Sequence, residues 1–135
     1  MISDFGADFL PRRKTLHSAG YDMMMPYDLQ MDPGVWYDID TGIHLEAGDI
    51  KETQFLMLVP RSGLGFKKKL KLANTVGIID ADYTQSIKAR IMVDEPLMLN
   101  RGDSFMQAIV MEYGLIANEV PPTEVRKGGF GSTGA

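Results

Sequence analysis

The sequence contains no cysteine, which excludes disulfide bonds and thiolate metal ligands. The two histidines have no ligand partners at useful spacing, so we expect both to be structural. The N-terminal stretch has no apolar run of signal-peptide or membrane-span length. A net charge of −4 gives no sign of general nucleic-acid or membrane binding. The lack of cysteine fits a cytoplasmic location, which we expect.

Turn residues and short apolar segments dominate what is present. Glycine occurs 14 times in 135 residues, above the usual share of about 7%. Residues 35–39 and 87–93 alternate apolar and polar side chains, residues 54–59 form a continuous apolar run, and residues 105–113 form a further strand. We expect the 54–59 strand to be buried on both faces. No helical periodicity is sustained, so the sequence predicts one all-β domain, a sandwich or a barrel.

One stretch, Pro60 to Tyr83, carries most of the chemistry. It opens with Arg61, Ser62 and two glycines, which suit a phosphate chain because arginine, hydroxyl and backbone N–H groups all bind anions. It closes with two carboxylates and a phenol at 80–83, where a carboxylate could deprotonate a water. Taken alone, each end could equally be an ordinary turn.

The stretch closely resembles the trimeric all-β dUTPases. The family pattern of Arg-Ser-Gly/Ser-Leu, then Asn, then Gly-x-Ile-Asp-x-Asp-Tyr matches residues 61–64, Asn74 and residues 77–83. Three more motifs match in order, namely Ala-Gly-Tyr-Asp at 19–22, Gly-Asp-Ser-Phe-Met-Gln at 102–107, and the glycine-rich tail at 128–134. The resemblance implies a distorted jelly-roll that forms a homotrimer with shared active sites. It also implies hydrolysis of dUTP to dUMP and pyrophosphate with Mg²⁺, which would be held mainly by the triphosphate.

The resemblance assigns roles to particular residues. Asp80 would orient and activate the attacking water, and Tyr83 would lie under the deoxyribose and exclude a 2′-hydroxyl. Asp22 would hold Arg61 in place, with a weaker case for a second-shell magnesium contact. Asp82 is expected to be structural. Phosphate contacts would come from Arg61, Ser62, the Gly63 backbone and Gln107.

The uracil would be held by Asn74 and by a hairpin from Ile78 to about Lys88, whose main-chain groups read the base edge. The pocket residues implied there are Gly77, Ile78, Ile79 and Lys88. The tail would close over the nucleotide. In it, Phe130 would stack on uracil, Gly131, Ser132 and Thr133 would cap the γ-phosphate, and Arg126 would contact the same phosphate. We therefore expect a β domain over residues 1–120 and a flexible tail over 121–135.

Two departures from the family pattern stand out. The family usually has glycine two residues after the tyrosine, often followed by glutamate, whereas this chain has Gln85 and Ser86. A non-glycine there would reshape the hairpin tip if the position needs a positive φ. The family arginine also usually lies where this chain has Val125, one position before Arg126.

Two other functions stay open at this point: a relative on the same fold that acts on dCTP, and a trimeric dUTP sensor that regulates a partner protein. Three consecutive lysines, 67–69, are interpreted as a solvated edge or turn that could also add positive potential near a triphosphate.

Overall fold

The structure is a computed structural model that describes residues 1–126. Eleven strands and one short α-helix follow the chain. The strands are β1 (Ile2–Ser3), β2 (Gly20–Met24), β3 (Leu29–Met31), β4 (Tyr37–Asp40), β5 (Ile43–His44), β6 (Gln54–Pro60), β7 (Lys71–Leu72), β8 (Gly77–Asp80), β9 (Lys88–Met92), β10 (Leu97–Leu99) and β11 (Ser104–Glu112). The helix, α1, spans Ser62–Lys68, and a 3₁₀ turn spans Ala7–Phe9.

All strand pairs are antiparallel, and they form two main sheets. The larger sheet has the order β2-β11-β6-β8, and the smaller has the order β4-β9-β7. Strands β1 and β5, and β10 and β3, form two-stranded ribbons beside them. Crossovers between non-consecutive strands are typical of a jelly-roll, and the prediction of an all-β, distorted jelly-roll fold is confirmed.

The core lies between the two main sheets, where alternate side chains point inward. Leu56, Leu58, Ile79 and Met106 come from the larger sheet and are buried against the other core residues. The smaller sheet contributes Ile39, Leu72, Ala89 and Ile91. The 54–59 strand is buried on one face only in this chain, because Phe55, Met57 and Val59 alternate with the core residues and are only half-buried. The expectation of burial on both faces was therefore wrong for the single chain.

Two further predictions from the sequence were wrong. Residues 62–68 form α1, although two glycines lower their helix propensity. Leu64 on this helix packs against the core, and Lys69 ends the helix in the left-handed conformation at φ 57°, so tertiary contacts override propensity. The lysine run is therefore partly helical, and Lys67–Lys69 do not line the large cleft described below.

The predicted hairpin around Tyr83 is also absent from residues 1–126. Strand β8 pairs with β6, while β9 pairs with β4 and β7 in the other sheet. Residues 81–87, which we name the Tyr83 loop, therefore cross from one sheet to the other instead of turning back on β8. Local alternation shows a strand but not its partner, which long-range pairing decides.

His44 ties three separate segments together. Its Nδ1 lies 3.0 Å from the Thr84 carbonyl oxygen and its Nε2 lies 2.9 Å from Asp4 Oδ2. Both partners are acceptors, so both contacts are hydrogen bonds only when both ring nitrogens carry protons. The side-chain hydrogen bond to Asp4 raises the pKa of His44. The protonated ring therefore joins β1, β5 and the Tyr83 loop.

We predict that His44→Gln lowers the free energy of unfolding by on the order of 1 kcal/mol at about pH 6, with a smaller loss at about pH 9. A raised pKa stabilises the folded state below the unfolded pKa, and this stabilisation is lost as pH rises through the folded pKa. Urea unfolding of wild type and variant across this range measures the difference. His17→Gln, at an exposed histidine without hydrogen bonds within residues 1–126, is the matched control. An equal loss at both pH values would contradict the prediction.

Candidate functional site

A cleft of about 800 Å³ lies between residues 8–19, which we name the N-terminal arm, the start of α1 and the first half of β11. It brings together five residues to which the family resemblance assigns a role. These are Asp22, Arg61, Ser62, Gly63 and Gln107. The four residues expected to contact phosphates therefore share one cavity with Asp22, the acid expected to hold Arg61, although the five are spread over 86 positions of sequence.

The register of β11 explains this convergence. Gln107 pairs with Asp22 on β2 and with Val59 on β6. The chain leaves β6 at Pro60, and the Arg61 N–H then donates to the Phe105 carbonyl at 3.1 Å. Because β11 has a partner strand on each edge, it places Asp22, Arg61 and the Gln107 side chain beside one another.

The start of α1 adds backbone donors to the cleft. The Gly65 N–H donates to the Arg61 carbonyl at 2.9 Å, which closes the first helical turn. Among residues 1–126 no side chain caps the helix, and the first N–H groups of any helix lack intrahelical partners. The amides next to Arg61 are thus placed to bind an anion.

Three cations in the N-terminal arm, to which the sequence motifs give no role, also line the cleft. Arg12, Arg13 and Lys14 join Arg61 there, against the carboxylates of Asp8 and Asp22. An isolated bridge holds the arm in place, since the Asp22 N–H donates to the Arg12 carbonyl at 2.8 Å. Cations outnumber carboxylates, so the cleft favours an anionic ligand. The consecutive Arg-Arg-Lys run was the available signal.

Two side chains of this cleft, Asp22 and Ser104, lack a contact that could have been expected. Within residues 1–126, no ion pair joins Asp22 to Arg61, so the proposed support of the arginine by this acid stays a prediction. Ser104 also lines the cleft, and its Oγ is buried without a hydrogen-bond partner in the described part of the chain.

A second cavity, of about 510 Å³, lies on the outer side of β4 and β9. Asn74 and Lys88, both predicted to lie near the base, line it together with Asp40. Gly77 and Ile79 lie with Asn74 and Lys88 around a much smaller adjoining cavity. The side chain of Ile78 is exposed on β8, and that of Ile79 is in the core. Any base contact from Ile79 must therefore come from its main chain.

Close packing of two strands explains the glycine at position 77, in addition to its predicted binding role. A Cβ there would lie 2.9 Å from the Cβ of Leu58, its partner across the β6–β8 pair. The glycine lets the two strands pack closely at this point.

The predicted catalytic carboxylate forms a third group, separate from both cavities. Arg126 donates to Asp80 Oδ2 at 2.5 Å and to Asp82 Oδ1 at 2.8 Å. Its guanidinium lies 5.9 Å from the centre of the Tyr83 ring. The hydrogen bond to Asp82 raises the pKa of Arg126, which keeps it charged. The sequence did not predict this contact between the arginine and the two carboxylates.

Tyr83 is 5% exposed, and burial raises the pKa of its phenol. Its hydroxyl donates to the Ser86 carbonyl at 2.8 Å. The ring thus has a defined position close to Asp80 and Arg126.

The predicted tail residues Phe130, Gly131, Ser132 and Thr133 lie outside the described residues. Across residues 1–126, no group of three or more histidine, aspartate or glutamate side chains is arranged to hold a metal ion. The same part of the chain contains no helix with the length and apolarity that a membrane crossing requires.

Comparison with known proteins gives a consistent result. Residues 9–134 match the family model described as dUTPase. A deoxyuridine 5′-triphosphate nucleotidohydrolase of Lactococcus lactis is 36% identical over 93% of this chain and 88% of its own length. The crystal structure of a dUTPase from Streptococcus mutans superposes with a TM-score of 0.73 at 30% identity, covering 87% of this chain and 97% of its own.

A more distant structure, a dUTPase from phage phi11 of S. aureus, has a TM-score of 0.68 at 19% identity and is similar in fold alone. It covers 92% of this chain and 95% of its own, and it is described with a coordinated structural Mg(II) ion.

We predict that Gly20→Ala weakens anion binding with little loss of stability. A Cβ at position 20 would lie 2.1 Å from Gln107 Oε1, so the flexible end of that side chain must leave its place. The loss of one hydrogen bond to an anion should reduce affinity for inorganic triphosphate about 5- to 10-fold. Titration calorimetry measures the affinity, and thermal unfolding checks the fold.

Gly114→Ala is the matched control, because a Cβ there has open space. Equal affinities for the two variants would contradict the placement of Gln107 in the anion site.

Proposed function

This chain belongs to the dUTPase family and is a dUTP diphosphatase, and we propose how its residues divide the hydrolysis of dUTP to dUMP and pyrophosphate. The observation that carries the proposal is the large cleft, where Arg61, Ser62 and Gln107 lie together in a cation-rich cavity. These three side chains, with the Gly63 amide, bind the triphosphate. They stabilise the charge that develops on the α-phosphate and on the leaving pyrophosphate.

Asp80 activates the water that attacks the α-phosphate. Its carboxylate is exposed and stands at the end of β8, so a water can reach it. General-base assistance of this kind contributes about 10²- to 10⁴-fold in rate. Tyr83 packs under the deoxyribose and leaves no room for a 2′-hydroxyl. Asn74 and the main chain of residues 77–79 hold the uracil.

We propose that each active site is shared between the chains of a homotrimer. The residues for phosphate binding line the cleft, whereas Asp80 and Tyr83 line neither that cleft nor the Asn74 cavity. A neighbouring chain that brings its Asp80 to this cleft would complete the site. Exposed apolar side chains after β11 support association, because such surface is usually covered by a partner. They are Leu115, Ile116, Val120 and Val125.

Mg²⁺ bound with the triphosphate would neutralise part of its charge. It would be held mainly by the phosphate oxygens and water, since residues 1–126 offer no cluster of ligands. Asp22 lines the cleft and is the carboxylate placed to contact the ion's water shell.

Arg126 takes part in closure of the tail. In the structure it bonds to Asp80 and Asp82 and covers Tyr83. Contact with the γ-phosphate requires release of this arginine from both carboxylates. Phe130 then stacks on the uracil, and Gly131, Ser132 and Thr133 cap the γ-phosphate.

Neither alternative is favoured. The dUTPase relatives argue against a dCTP-acting enzyme, and a protein that only senses dUTP would need no catalytic carboxylate. The cytoplasmic location stays a prediction, as does the boundary between the β domain and a tail starting at residue 121.

We predict that the protein releases pyrophosphate from dUTP but not from dCTP, dTTP or UTP at comparable rates. Asp80→Asn should lower kcat at least about 100-fold, because the amide cannot accept the proton of the water. Pyrophosphate release with Mg²⁺ measures turnover, and binding of a non-hydrolysable dUTP analogue should persist in the variant. Turnover of dCTP would contradict the assigned base specificity, and an active Asp80→Asn variant would contradict the role of the carboxylate.

The shared site gives a second prediction. Asp80→Asn and Arg61→Ala should each be inactive, but co-expression of the two should restore about a third of wild-type activity in mixed trimers. In a mixed trimer of either composition, one site in three combines a good cleft with a good carboxylate from different chains. Co-expression of tagged variants, followed by double affinity purification, measures the recovery. No recovery in verified mixed trimers would mean that both residues act from one chain.

A further inference from the structure

The Tyr83 loop holds its shape without the glycine that related chains place in it. Within residues 1–126, neither Gln85 nor Ser86 has a positive φ. The loop therefore does not need the left-handed backbone for which glycine would be required. Side-chain hydrogen bonds must hold the loop instead, and Ser86 is at their centre.

Ser86 is bound to the turn between β4 and β5. Its hydroxyl donates a short hydrogen bond to Asp40 Oδ1. The Gly42 N–H lies 3.1 Å from both of these oxygens and donates to the pair. Burial alone would raise the pKa of Asp40, but the hydrogen bonds from Ser86 and Gly42 lower it, so the acceptor stays ionised at neutral pH.

The main chain of the same serine holds Tyr83. The Ser86 carbonyl accepts the phenol hydroxyl at 2.8 Å, and the Tyr83 N–H donates to the Asp80 carbonyl at 3.0 Å. The phenol end of the ring is thus fixed by Ser86 and the backbone end by Asp80. A continuous path of hydrogen bonds runs from Asp40 through Ser86 to the buried ring.

Neighbouring contacts hold the end of the loop that follows Ser86 and the carbonyl of Thr84. His44 contacts the Thr84 carbonyl, and the Ile87 N–H donates to the Ile43 carbonyl at 2.8 Å. The Thr41 hydroxyl donates to the Ile87 carbonyl at 2.6 Å. The Ile87 N–H belongs to the same peptide group as the Ser86 carbonyl, so these bonds keep the loop in place when the Ser86 hydroxyl is lost, while the ring loses the support of Asp40.

We propose that Ser86, held by Asp40, is a positioning residue that fixes Tyr83 as the wall against ribose. The inference rests on the proposed function, in which Tyr83 packs under the sugar. The Tyr83 ring can exclude a 2′-hydroxyl only if it resists displacement. The Asp40–Ser86 bond adds to that resistance at the phenol end of the ring, and part of the rejection of UTP depends on it.

The test compares kcat/KM for dUTP and UTP in wild type, Ser86→Ala and Ser86→Thr. In Ser86→Ala the ratio of the two constants should fall about 5- to 10-fold, the equivalent of one lost hydrogen bond. The fall should come mainly from a gain with UTP. Ser86→Thr retains the hydroxyl and should keep the wild-type ratio. A general loss of structure would lower both constants together and leave the ratio unchanged.

Asp40→Asn provides a second route if Ser86→Ala folds poorly. The neutral amide is a weaker acceptor for the Ser86 hydroxyl, so the ratio should fall in the same direction. Asp94→Asn is the matched control, because this exposed carboxylate pairs with Lys71 and not with the loop. An unchanged ratio in folded, active Ser86→Ala or Asp40→Asn overturns this inference alone. Absence of dUTP hydrolysis by the unmodified protein overturns the proposed function and the inference with it.

Discussion

The pairing of β11 with strands on both of its edges is the constraint on which the rest of the molecule depends. Its nine residues connect β2 to β6, and through β6 to β8. The inward-facing side chains of β11 help to fill the core, and its Gln107 lines the phosphate cleft. A shift of one residue in this register would turn every side chain to the opposite face. Folding of the sheet and assembly of the phosphate site are therefore one event.

Much of the fold and site could be predicted from local sequence because short motifs carry a direct physical meaning. Alternation at 87–93 and the apolar runs at 54–59 and 105–113 marked strands that the structure contains. Arg61 and Ser62 suited a phosphate by residue type, whereas Gln107 was identified through its place in a motif of the family that the chain resembles. Such features depend on neighbours within a few positions, and a single chain displays them fully.

Features that depend on distant partners could not be read in this way. Helix α1 forms because Leu64 finds the core, a contact that its own glycine-rich sequence does not indicate. The Tyr83 loop crosses between sheets because the strand before it, β8, pairs with β6, and the strand after it, β9, pairs with β4 in the other sheet. The ion pairs of Arg126 join positions more than 40 residues apart. In each case tertiary contacts decide which structure is stable, and the local sequence does not show those contacts.

The two carboxylates under Arg126 have a consequence for how salt acts on this protein. A free guanidinium gains the full attraction of an arriving anion, and added salt screens that gain. Here the guanidinium already has counter-charges in Asp80 and Asp82. An anion that binds this guanidinium must displace the two carboxylates, so it gains only the difference between two electrostatic attractions. Salt screens both of these attractions. The part of any anion affinity that comes from this arginine should thus vary less with ionic strength than the part that comes from the cations lining the cleft.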